Sequence, residues 1–120
     1  MKSQAYRMAM LFDFYGDVLT PRQKEFYDLY YNEDLSLAEI AKITASPASV
    51  RDVIVRAEAI LTDLEDKTGL IKRFHAMRKQ LQEVEAAAED ILVRNTRYED
   101  PNIDASARKI LNISRQMEKE

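Results

Sequence analysis

The chain has 120 residues, a formal charge of −3 and 46% hydrophobic residues, and no cysteine. That supports a modest core, excludes disulfides, thiol catalysis and thiolate zinc sites, and rules out a uniformly basic nucleic-acid coat. A nucleic-acid site must be a local patch.

Glycine occurs only at 16 and 69, and proline only at 21, 47 and 101. So few breakers favour long helices over strands, which need frequent turns. No apolar run approaches the ~20 residues of a bilayer span. Met1 to Gln4 lack the apolar stretch of a signal peptide, so a cytoplasmic protein without membrane contact is expected.

Met8, Leu11, Phe12, Tyr15, Val18 and Leu19 fall on one stripe of a first helix, with Gly16 inside it at a close packing point. Thr20-Pro21-Arg22-Gln23 is a capping box with proline at the first helical position, and it opens a second helix. Phe26, Leu29 and Tyr30 point inward there, and Asn32-Glu33-Asp34 ends it.

Ser36-Leu37-Ala38-Glu39 is another capping box, opening a short helix with Leu37, Ile40 and Ala41 on one face. A turn follows over residues 43–46. Ser46 then caps a longer helix with Pro47 at its first position. Val50, Val53, Ile54, Ala57, Ile60, Leu61 and Leu64 form its inner stripe, and Gly69 stops it.

The next helix runs from about Leu70 to Arg94. Leu70, Phe74, Met77, Leu81, Val84, Ala88 and Ile91 recur by fours and threes, which is a heptad seam. The polar stretch 97–102, with Pro101, reads as a loop. Ile103, Ala107, Ile110, Leu111 and Met117 mark a short last helix that frays at its end.

A short capped helix, a tight turn and a longer helix make a helix-turn-helix, in which the first braces the second. The residues around it carry a closer likeness. Arg7-Met8, Leu11-Phe12, Phe14-Tyr15, Leu19-Thr20, Gln23, Leu29-Tyr30-Tyr31, Asp34 and Ser36-Leu37-Ala38-Glu39-Ile40-Ala41 stand in order, followed by Ser46, Val50, Asp52, Ile54, Arg56, Glu58 and Leu61. Over roughly residues 6–74 the chain resembles the YlxM-like family of Gram-positive bacteria and mollicutes. The resemblance implies a sigma-region-four-like helix-turn-helix of the winged-helix-like superfamily. It also implies a regulatory role in the signal recognition particle pathway, with the particle's RNA or GTPase as partner. The chain departs from the family in a turn one residue shorter, and in Pro47, Arg51 and Val55 where the family often has Arg, Tyr and Lys. Pro47 offers no side-chain donor to a base or phosphate.

The expectation is therefore an all-α chain: a helix-turn-helix domain over 1–68, then a helical extension over 69–120 that packs on it and on a second protomer. Ser46, Ser49, Arg51, Asp52 and Arg56 are the candidate nucleic-acid or partner surface; a solvated helix face is the plain alternative. Residues 46–66 hold two basic side chains and five acids, a net −3, which weighs against phosphate contact by that helix. Lys67, Lys72, Arg73, Arg78 and Lys79 form an acid-free basic stretch suited to RNA, or else merely solvate the seam. Val84, Ala88 and Ile91 are the candidate homodimer seam, because a 25-residue helix of about 37 Å outruns a small domain.

His75 is the only histidine, and no nucleophile–base pair, glycine-rich phosphate loop or metal-ligand spacing occurs. Neither a cofactor nor catalysis is expected. The runner-up readings are a DNA-binding transcriptional regulator and a dimeric helical adaptor without nucleic acid.

Overall fold

The computed structural model describes residues 4–44 and 49–119. Six helices occur in order among them, with no strand: α1 (Ala5–Tyr15), α2 (Pro21–Tyr31), α3 (Leu37–Thr44), α4 (Val50–Thr68), α5 (Leu70–Asn95) and α6 (Pro101–Lys119). The chain divides into two compact units, residues 1–71 and 72–120. No described helix is long and apolar enough to cross a membrane.

In the first unit the helix starts follow their local chemistry. Thr20 Oγ1 accepts from the Gln23 backbone N–H at 3.2 Å, and Gln23 Oε1 accepts from the Thr20 N–H at 2.9 Å. Ser36 and Glu39 repeat this reciprocal pair at the start of α3, both bonds at 3.1 Å. Each box satisfies two of the helix's orphan donors. Ser46 and Pro47, expected to cap α4, lie outside the described residues; Ser49 holds the N-cap place, and its side chain makes no capping bond. Gly69 takes a left-handed φ of 62° as the C-cap of α4, and α5 begins at the next residue.

Helix α4 is the spine of this unit. Ala57 and Leu61 pack with Leu11, Tyr15, Leu19 and Tyr27 from the first two helices and the bend between them. Val50 and Ile54 pack with Phe26 and Ile40, joined by Leu37 and Ala41 of α3. The alternation of buried Val50, Ile54, Ala57 and Leu61 is the inner stripe of an amphipathic helix.

Two inward expectations fail here. Val18 is 58% exposed because the chain tightens into a 3₁₀ turn over Gly16–Val18, which breaks the α period before that residue. Ile60 is exposed because the inner stripe is narrow and runs through Ala57 and Leu61 on either side of it. The packing point at Gly16 is real: a Cβ there would lie 3.3 Å from the Phe12 ring.

Tyrosine hydroxyls tie the first unit together. Tyr27 is fully buried, stacks on Phe12 with centroids 5.4 Å apart, and donates to the Met8 carbonyl at 2.6 Å. Tyr31 donates to Glu58 at 2.9 Å. Tyr15 donates to Glu65 at 2.5 Å and lies 2.6 Å from Thr68 Oγ1. Glu65 also accepts the Ile71 N–H at 3.0 Å, so one carboxylate holds both α1 and the first turn of α5. Burial first, and the carboxylate partner second, push the Tyr15 and Tyr31 hydroxyls above their ordinary range. Burial does the same to Tyr27.

The second unit is an antiparallel hairpin of most of α5 with α6. Asn95 Nδ2 donates to the Asp100 carbonyl at 2.8 Å, and the Asp100 N–H donates back to Asn95 Oδ1 at 3.2 Å. Asp100 caps α6 through the N–H groups of Asn102 and Ile103, at 2.8 and 3.3 Å. Pro101 therefore starts the last helix rather than sitting in a loop, and that helix has 19 residues rather than being short. Further along, Ser114 Oγ donates to the Leu81 carbonyl at 3.3 Å and Arg115 pairs with Glu89 at 3.1 Å. The register that sets Asn95 beside Asp100 and Leu81 beside Ser114 sets Ala88 level with Ala107. Both alanines are 1% exposed.

Candidate nucleic-acid interface

The outer side of α4 is open. Arg51, Asp52, Val55, Arg56, Ala59, Asp63 and Asp66 are all exposed along it. The net −3 of residues 46–66 is not what this side presents. Glu58 and Glu65 are half-buried and hold the Tyr31 and Tyr15 hydroxyls. Asp63 pairs with Lys67 at 2.9 Å. The first two turns of α4 thus present Arg51, Asp52 and Arg56, while the other four acids, Glu58, Asp63, Glu65 and Asp66, lie inward or towards the far end.

At that same end, α2 begins beside α4. Arg22, in the first turn of α2, donates to Ser49 Oγ at 2.6 Å, and its guanidinium sits 5.2 Å from the centroid of the Phe26 ring. Together with Thr20, Gln23, Ser49, Asp52, Val53 and Arg56 it lines an open cleft of about 400 Å³. Stacking on Phe26 limits the freedom of the Arg22 side chain and leaves its remaining donors for another acceptor.

Of the expected surface, the structure brings Ser49, Asp52 and Arg56 into this cleft. Arg51 is exposed on the outer side of α4 and is not among the lining residues. Ser46 lies outside the described residues. Thr20, Arg22 and Gln23 are the lining residues that sequence reading assigned only to helix capping.

The basic stretch does not make one face. Lys67 belongs to the first unit and is held by Asp63, whose hydrogen bond raises its pKa above the ordinary lysine value. Lys72, Arg73, Arg78 and Lys79 are exposed on α5 in the second unit. Lys72 and Lys79 align two turns apart, whereas Arg73 and Arg78 project to other sides of the helix. The expected dimer seam also divides: Ala88 is buried at 1% exposure, while Val84 and Ile91 remain exposed. Among the described residues no group of three or more metal-ligating side chains comes together.

A family described as "Putative helix-turn-helix protein, YlxM / p13 like" matches residues 2–99. A UPF0122 protein of Desulforamulus reducens is 45% identical over 80 residues, covering 66% of this chain and 68% of that one. Its counterpart in Acetivibrio thermocellus is 39% identical over 101 residues, covering 83% and 86%. One from Halalkalibacterium halodurans is 39% identical over 90 residues, covering 74% and 83%. No solved structure matches the chain. With its two capping boxes, its braced α3–α4 pair and a match over most of its length, this chain belongs to the UPF0122 family of YlxM / p13-like helix-turn-helix proteins.

Proposed function

We propose that this chain is a regulatory binding protein whose helix-turn-helix unit grips a nucleic-acid backbone in the cleft between α2 and α4. The meeting of Arg22, Arg56 and Ser49 beside the first turns of an exposed helix carries this reading. Guanidinium groups match phosphate geometry and stay charged at every working pH. The lining holds two arginines and one aspartate, a net charge of +1. Asp52 accepts rather than donates, so it suits an exocyclic amino group next to the held phosphate.

The resemblance to YlxM-like proteins supports the RNA of the signal recognition particle as that nucleic acid, with the particle's GTPase as the protein partner. A sigma-region-four-like arrangement of α3 and α4 belongs to the same reading. The exposed Lys72, Arg73, Arg78 and Lys79 supply a separate basic belt, which reads shape and backbone rather than sequence. The open outer side of α4 favours a second reading, a transcriptional regulator that lays this helix in a DNA major groove.

One set of titrations separates these readings: particle RNA, generic duplex DNA and the GTPase, each over a salt series. RNA binding that falls steeply with salt supports the first. Tight duplex binding that is lost with Arg51→Ala supports the second. Silence in both nucleic-acid arms overturns the backbone-gripping account.

A further inference from the structure

The second unit has an apolar face that its own two helices leave uncovered. On α5, Met77, Val84 and Ile91 are 39%, 44% and 38% exposed; on α6, Ile103, Ile110 and Met117 are 41%, 40% and 42% exposed. Both sets recur every seventh residue, so each is a straight stripe along its helix. The hairpin register places them level: Ile91 with Ile103, Val84 with Ile110, and Met77 with Met117.

The two stripes lie on one side of the hairpin. On each helix the line that meets the neighbour runs through Leu81, Ala88 and Asn95, or through Asp100, Ala107 and Ser114. Each exposed residue stands three after or four before a residue of that line, which rotates it by the same angle away from the contact. Because the helices are antiparallel, equal rotations turn both stripes towards the same side. The result is a three-rung apolar ladder with no charged side chain on any rung.

We infer that this ladder is the interface with a second copy of the chain, closing two hairpins into a four-helix bundle. Three features favour that occupant. The footprint is about 21 Å by 20 Å, since 14 residues of helix rise 1.5 Å each and two helices stand side by side. That is roughly 400 Å² before surface relief is counted, close to the ~500 Å² per partner at which a specific interface begins. The stripes carry the repeat that lets helices interdigitate as knobs into holes over their whole length, so the same ladder on a second hairpin fits it. Residues 72–120 hold ten basic and nine acidic side chains, a net +1, so repulsion between two such units is weak.

A two-fold axis that runs along the helices, in the plane between the faces, keeps every neighbouring helix antiparallel and sets each rung against its own copy. The rungs oppose β-branched Val84, Ile91, Ile103 and Ile110 to one another, with flexible Met77 and Met117 filling one end. This dimer does not depend on the nucleic-acid reading.

The test is sedimentation equilibrium of the full chain from about 1 µM to about 1 mM, a range that spans weak to firm association. The wild type is expected to reach twice 13.9 kDa. Val84→Glu and Ile110→Glu, on exposed positions of the folded unit, are expected to sediment as monomers with unchanged far-ultraviolet helicity. Gln82→Glu, off the ladder, is expected to remain dimeric and controls for added charge. A wild type of 13.9 kDa throughout, or a dimer indifferent to both ladder substitutions, would overturn the proposal.

Discussion

The Arg22 guanidinium donates to the Ser49 hydroxyl at 2.6 Å, joining the first turn of α2 to the N-cap of α4 across 27 positions of sequence. This contact gathers the cleft, and it leaves Ser49 without a capping role. Ser49→Ala is therefore expected to change stability by less than the ~1 kcal/mol typical of a lost N-cap, because none is lost. It should still weaken nucleic-acid binding, because Arg22 loses the hydroxyl that positions it. Urea melts and binding titrations of this one variant check both halves. A full capping penalty with intact binding would show the serine to be structural only.

The tyrosine clamps give the molecule an alkaline limit. In the folded chain Tyr15, Tyr27 and Tyr31 all ionise above the ordinary tyrosine value of 10.0. A group whose folded pKa is raised contributes stability fully present below its unfolded pKa, and that stability is lost as pH rises past it. Unfolding is thus expected to begin above pH 10, with these three of the six tyrosines ionising only as the helices melt. Tyrosinate absorbance and circular dichroism followed together would check this. Complete titration ahead of any loss of helix would contradict it.

Gly69 carries the turn from α4 into α5 with a φ of 62°, and a Cβ there would meet nothing within 4 Å. The penalty for Gly69→Ala is then purely conformational, about 1 kcal/mol. Gly69→Asn is expected to be milder, because asparagine tolerates the left-handed region. Equal melting of the two variants would show that this backbone conformation is not what the glycine supplies.

Much of this architecture can be read from the chain itself. Thr20–Gln23 and Ser36–Glu39 signal helix starts through side chains that reach only three residues, and both boxes form. Gly69 stops α4 for an equally local reason. What escapes is set by distance or by neighbours. Val18 leaves the apolar stripe because of a 3₁₀ turn that no periodicity shows. Asp100, read as loop, starts a helix once Asn95 brackets its backbone. In the site, Arg22 looks like an ordinary first-turn residue until α4 folds beside it. The acids of α4 look repulsive in a charge count, yet Glu58 and Glu65 are turned to tyrosines of α1 and α2.

Ala88 and Ala107 are the alanines buried in the second unit. Ala88→Leu is expected to destabilise it by about 1–3 kcal/mol, since a larger side chain in a packed helix contact forces strain. Hydrogen exchange of α5 and α6 amides would quicken while α2 and α4 remain protected. Uniform loss of protection along the whole chain would show instead that the two units unfold together.

The most direct test of the central claim is the salt dependence of nucleic-acid binding for the wild type and for the double variant Arg22→Ala/Arg56→Ala. Each phosphate contact removed should lower the slope of log affinity against log salt by about 0.7–0.9. The cleft account predicts weaker binding with a slope reduced by roughly 1.4–1.8, at unchanged helicity. An unchanged slope and affinity in a folded double variant would contradict it, and the cleft between α2 and α4 would have no part in holding the ligand.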